Sequence, residues 1–116
     1  MRDKRFFLRS SDIQPLAEGF GSCIASDRIT VDGKAVGYMY RESPDSEVDS
    51  GWRFFAGDES QAYADQADNF AMYDINTIAN HDRAIIELLD APIGCAYVRN
   101  SDGRFELESM PVDSDA

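Results

Sequence analysis

The sequence lacks any apolar stretch long enough to cross a membrane. The run near its N-terminus, Phe6-Phe7-Leu8, is three residues. A membrane span needs about 18 and a secretory signal about 7–15. The chain is therefore expected to stay in the cytosol, with no membrane partner. Cysteine is scarce: Cys23 and Cys95 stand alone, far apart and outside any C-x-x-C motif, which removes the usual zinc spacing. In a reducing compartment they read as two buried thiols inside strands, with a disulfide between them left open. Bases are scarce as well. Eleven Lys and Arg face 22 Asp and Glu, a formal net charge of −11. A surface this acidic repels phosphates before contact, so no nucleic-acid partner is expected.

Catalytic vocabulary is equally thin. His81 is the single histidine, so a Cys–His or Ser–His pair would have to use it. It sits in Asn80-His81-Asp82 at the expected start of a helix, where it reads as a capping or surface residue. The positive end of that helix would disfavour its charged form. Gly19-Phe20-Gly21 lacks the third glycine of a dinucleotide fingerprint. There is no P-loop, no G-x-S-x-G and no H-E-x-x-H. Neither a catalytic residue nor a cofactor is expected.

What is present is a chain of 116 residues, 43% of them hydrophobic. That suits one globular domain burying about 65% of its unfolded surface. The expected organisation is an N-terminal arm over 1–21, one domain over 22–108 and a frayed acidic tail over 109–116. Two Asp-Gly pairs suggest type I′ hairpins. In the first, 29–31 and 34–40 flank Asp32-Gly33, putting Ile29, Val31, Val36, Tyr38 and Tyr40 on one face and Ala35, Gly37 and Met39 on a second, smaller face. In the second, 95–99 and 104–108 flank Asp102-Gly103 through a loop of two or four residues, opposing Val98 to Leu107 and Arg99 to Glu106 either way. Further strands are expected over 21–26 and 52–55, with a weaker one over 70–73. The clearest helix is 82–90, capped by Asn80 or Asp82 and stopped by Pro92, with Ile85, Leu88 and Leu89 on one face. A one-turn helix over 75–80 and a short one over 11–19, weakened by Pro15, complete the set. The fold class is α+β: a mostly antiparallel twisted sheet with one or two short helices packed on it.

Charge is concentrated in the middle. Between residues 42 and 74 there are nine acids and one base, Arg53, so this third of the chain carries −8. The same segment holds Trp52, with Phe54 facing the same way in a strand and Arg53 and Phe55 facing the other. A solvated acidic loop, a partner-binding surface and a metal site all fit. Asp45-x-Glu47-x-Asp49 imitates a calcium loop, but Ser50 and Ala56 stand where Gly and Glu are required, so no metal site is assigned.

The segments Gly37-Tyr38-Met39-Tyr40-Arg41-Glu42 and Asp49-Ser50-Gly51-Trp52-Arg53-Phe54-Phe55-Ala56-Gly57-Asp58-Glu59, with the later stretch 73–80, carry a resemblance. The chain resembles the bacterial domain of unknown function 2185 family, an immunity-protein family of polymorphic toxin systems, over residues 22–108. The resemblance implies a small, acidic, cytosolic α+β protein without established enzymatic activity, and a cognate toxin as partner. Family-matching positions give a candidate partner-binding set: Tyr40, Arg41, Asp49, Trp52, Arg53, Asp58 and Glu59. Asp49, Asp58 and Glu59 would complement a basic toxin, and Trp52 would anchor it if its ring is exposed. A structural role stays open at the same places: Gly51 and Gly57 as turn formers, Arg41 or Arg53 as partners of Asp58 or Glu59. Two other functions stay open: a self-associating housekeeping protein, and a metal-assisted hydrolase built on the acidic cluster.

Overall fold

A computed structural model describes residues 4–109. The tail expected to fray lies, from residue 110 onward, outside the described residues.

Six strands form one sheet. In chain order they are β1 (Ser22–Ser26), β2 (Tyr38–Arg41), β3 (Asp49–Phe55), β4 (Phe70–Asp74), β5 (Ala96–Arg99) and β6 (Phe105–Ser109). Their spatial order is β4-β1-β3-β2-β5-β6. Only β1 and β3 run parallel; every other neighbouring pair is antiparallel. Three short α-helices, α1 (Asp27–Thr30), α2 (Gln61–Ala64) and α3 (Ile75–His81), and 3₁₀ turns at Ser10–Asp12, Ala67–Asn69 and Arg83–Leu88 make up the rest. The class is α+β.

The core lies between one sheet face and a layer of α1, α3 and the Arg83–Leu88 turn. Cys23 and Ala25 of β1, Met39 of β2 and Trp52 and Phe54 of β3 point into it. Ile29, Ile75, Ile78, Ile85 and Leu89 meet them from the helical side. Asp82, whose side chain accepts from the Ala84 N–H, starts the 3₁₀ turn as the sequence suggests, and Ile85 and Leu89 are fully buried below it. The segment is a 3₁₀ turn, so its side-chain spacing is tighter than an α-helix gives. The N-terminal arm is pinned to α3 by amide side chains. Asn76 Oδ1 accepts from the N–H of Leu16 and Ala17, and Asn80 Nδ2 donates to the Gln14 carbonyl. A 3₁₀ turn at Ser10–Asp12 replaces the short helix expected over 11–19.

The first Asp-Gly pair is not a hairpin turn. Ile29 belongs to α1, and Asp32-Gly33 ends that helix. Gly33 has φ +79° and its N–H donates to the Ile29 carbonyl, while the Lys34 N–H donates to the Arg28 carbonyl. A helix C-terminus and a type I′ turn both demand positive φ, and the same two residues serve either. As a result Tyr38 and Tyr40 do not share a face with the core; Met39, on the face expected to be minor, is fully buried. The second Asp-Gly pair does close a hairpin, with three residues, 101–103, inside the last bonded pair in place of two or four: the Asn100 N–H donates to the Arg104 carbonyl. Odd loop length shifts the register by one, pairing Tyr97 with Leu107, Val98 with Glu106 and Arg99 with Phe105. A bulge at Ala96 restores the expected offset at the far end.

Cys23 and Cys95 are buried free thiols. Burial pushes both thiol pKa values up, which keeps them protonated. His81 falls in the last turn of α3 rather than at a helix start. Burial still lowers its pKa, so the cause is desolvation and not a helix N-terminus.

Candidate functional site

The sheet face opposite the core carries most of the chemistry. Strand alternation places Ile24, Tyr38, Tyr40, Arg53, Phe55, Phe70, Met72 and Val98 there, and cross-strand pairing brings them together: Tyr40 lies opposite Arg53, Tyr38 opposite Phe55 and Val98, Ile24 opposite Met72. Tyr40 and Phe55 stack at 5.9 Å with planes 14° apart, and Phe70 meets Phe55 edge-on at 5.6 Å. Tyr38 packs 5.9 Å from Tyr40, and Tyr63 of α2 closes the row 6.1 Å from Phe70. Two grooves run along this face, about 760 and 480 Å³ in volume, sharing Tyr40, Phe55 and Ala64. Among the described residues α2 and the loops beside it stand over the rings, which are half-buried where the other face is roofed.

Arg53 lies under the smaller groove, 3% exposed. Its Nη1 and Nη2 donate to the two carboxylate oxygens of Asp49 at 3.0 and 2.8 Å, and its Nε donates to Glu42 at 2.6 Å. Asp45 stands 3.8 Å from Nη2. Asp49 also accepts from the N–H of Asp45 and Gly51. The paired guanidinium holds the Asp49 carboxyl well below the usual carboxylate range, and the carboxylates raise the Arg53 pKa in turn. A bidentate, nearly dry ion pair of this kind fixes the strand end from which Glu42 and Asp45 project. Gly51 makes the arrangement possible: at φ +89° a Cβ there would lie 2.1 Å from the Glu42 carbonyl oxygen. Burial, then the Glu42 charge, raises the Tyr40 phenol pKa; burial, then Glu108, does the same to Tyr38.

The sequence-derived set divides between the two faces. Tyr40, Arg53 and, through Arg53, Asp49 meet at the smaller groove. Asp58 and Glu59 line the larger one. Asp58 is held by Lys34 and lies 3.7 Å from Arg28, and Glu59 accepts from the N–H of Ala56 and Gly57. Glu59 therefore shapes its own loop. Trp52 is on the wrong side to anchor a partner: it is 1% exposed and its Nε1 donates to the Leu89 carbonyl. Arg41 is on that side too, donating to the carbonyls of Ser50 and Ala91 with its guanidinium 5.7 Å from the Trp52 ring. Neither arginine pairs with Asp58 or Glu59 as the sequence left open. The residues missed were Phe55, Phe70, Met72, Ile24 and Glu42. The signal for Phe55 was present, since it alternates with Trp52 and Phe54; the others needed the strand order.

Among the described residues no three His, Cys, Asp or Glu side chains converge to hold a metal ion. The acids around Arg53 are arranged about a guanidinium. What the arrangement can do is bind: an apolar floor with a negative rim.

The immunity protein Imm33 domain matches residues 23–108, nearly three-quarters of the chain. The chain belongs to this family. The matched region of this immunity-protein domain runs from β1 into β6 and so contains the whole open face. No curated protein and no solved structure matches the chain.

Proposed function

We propose that the chain is a non-enzymatic immunity protein that neutralises a cognate toxin by covering it. Family membership supports the immunity role. The observation that carries the binding reading is the grooved aromatic face, with half-buried rings and the exposed Met72, since apolar surface left beside charged groups is typical of protein interfaces. The −8 segment over 42–74 favours a basic toxin, because opposite charge speeds encounter. The earlier resemblance over 22–108 and the match over 23–108 cover the same residues, and we read both family descriptions as naming one group of chains.

The test has two steps. Proteins captured by the chain from its source cells are expressed in a host with and without it. A captured protein that stops growth alone and not alongside the chain supports the reading. A toxic captured protein that the chain leaves fully toxic contradicts it. Raised ionic strength should slow association with that toxin several-fold; a salt-independent rate would remove the electrostatic component.

One observation favours a second reading. Met72 sits on the edge strand β4 and is 63% exposed, an apolar edge of the kind that pairs with another copy. A mass that rises with concentration in solution would support self-association, and a constant monomer mass would dismiss it.

A further inference from the structure

We infer that the smaller groove takes the guanidinium of an arginine side chain presented by the partner protein. This deepens the immunity reading and rests on it. The groove has an apolar floor of Tyr40, Phe55, Phe70 and Met72 and a volume of about 480 Å³, within the ~300–1,000 Å³ of side-chain and small-ligand pockets.

The sign of the occupant follows from charge. Glu42, Asp45 and Asp49 face one guanidinium, that of Arg53, leaving the group at −2. Arg53 has little left for an anion: four of its five N–H donors are taken, and three carboxylates surround its one charge. Its Nε is given to Glu42, and its Nη atoms to Asp49 and the Trp52 carbonyl. Glu42 lines the groove with its side chain 50% exposed, and Asp45, 85% exposed, stands 3.8 Å from Arg53 Nη2 beside it, so both can accept from an incoming cation. The floor then selects among cations. Ring faces attract a flat, weakly hydrated guanidinium better than an ammonium, and the arginine stem lies along apolar surface. The described residues already show this packing three times, with Arg28 4.7 Å over Tyr63, Arg41 5.7 Å over Trp52 and Arg99 4.6 Å over Phe105. An apolar occupant would desolvate Glu42 without adding a partner to its one bond from Arg53, and an anionic one would meet the excess negative charge.

The test is a nuclear magnetic resonance titration of the ¹⁵N-labelled full chain with acetylated, amidated hexa-arginine at low ionic strength. A hexa-citrulline peptide of the same shape and no charge serves as control. The expected result is saturable shifts at residues 40–42, 53–55 and 70–72, and no saturation with hexa-citrulline. The double variant Glu42→Gln, Asp45→Asn should bind about tenfold more weakly. A charge-matched variant on the helical side, Glu87→Gln, Asp90→Asn, should stay within about twofold of wild type if the effect is local rather than a matter of net charge. Met72→Lys, at an exposed position, puts a cation in the groove and should abolish the shifts, which keeps the test decisive if the rim variant folds poorly. Equal weakening by both double variants, shifts outside the groove, or equal binding of hexa-citrulline would overturn the inference. So would a concentration-dependent dimer whose interface shifts occupy the groove and are indifferent to Glu42→Gln. Growth protection by the wild-type chain decides the immunity reading without reference to the groove, so the two fail separately.

Discussion

Trp52 and Phe54 point into the helical layer and are 1% and 0% exposed, while Phe55, the next residue, is half-buried on a face that α2 and its loops shade among the described residues. The rings on both sides come from the same strand and are of the same kind. One set is closed over by Ile75, Ile78, Ile85 and Leu89; the other stacks on itself, Tyr40 on Phe55 and Phe55 against Phe70, and ends in solvent. The polar partners differ as well. Behind Trp52, backbone carbonyls take the Nε and Nη1 of Arg41 and the indole N–H. Around Arg53 the partners are carboxylates, and two of them reach water. One face is closed within the described residues, and the other is the face we propose for a partner.

That contrast breaks first at the core. Trp52→Ala should cost about 3–5 kcal/mol, because it empties a site with no room to collapse. Urea unfolding measures it; a loss below about 1 kcal/mol would mean the roofed face is no tighter than the open one.

Next comes the ion pair beneath the groove. Asp49→Asn leaves Arg53 buried with a weaker partner and should cost about 3 kcal/mol. The Asp49 pKa is depressed in the folded chain, so its contribution is present above the unfolded carboxylate pKa of about 4 and is lost as pH falls below that value. Unfolding from neutral pH down into acid should show wild type losing stability faster than Asp49→Asn. Parallel curves would mean that the pair is not held dry.

The smallest effect on folding should come from the open rim. Met72→Ser is expected to change stability by no more than about 0.5 kcal/mol, since Met72 is 63% exposed, yet to weaken toxin binding. A large folding cost with unchanged binding would make Met72 a core residue.

Much of this was legible in the sequence. The alternation of Trp52 and Phe54 against Arg53 and Phe55 is correct, as are the strands around 21–26, 52–55 and 70–73. Which side is buried was not legible, because aromatics occupy both and the pattern has no polar face to mark solvent. The Asp32-Gly33 pair misled for a physical reason: positive φ is required by a helix end as much as by a hairpin. Its misreading turned Tyr38 and Tyr40 inward and hid the open face. Trp52 was weighed as an anchor on residue type, but its indole N–H satisfies the Leu89 carbonyl in the core. Arg53 pairs four residues back with Asp49, a spacing visible in the sequence, whereas Glu42 and Asp45 come within reach only through the β2–β3 pairing.

The most direct measurement is hydrogen–deuterium exchange of the chain alone and bound to the toxin it captures. Slower exchange at Gln61–Ala64, Ala67–Asn69 and Phe70–Asp74, the elements that border the open face, is the predicted result. Slowing confined to Ile75–His81 and Arg83–Leu88, with that border unchanged, would place the toxin on the helical side and contradict the account.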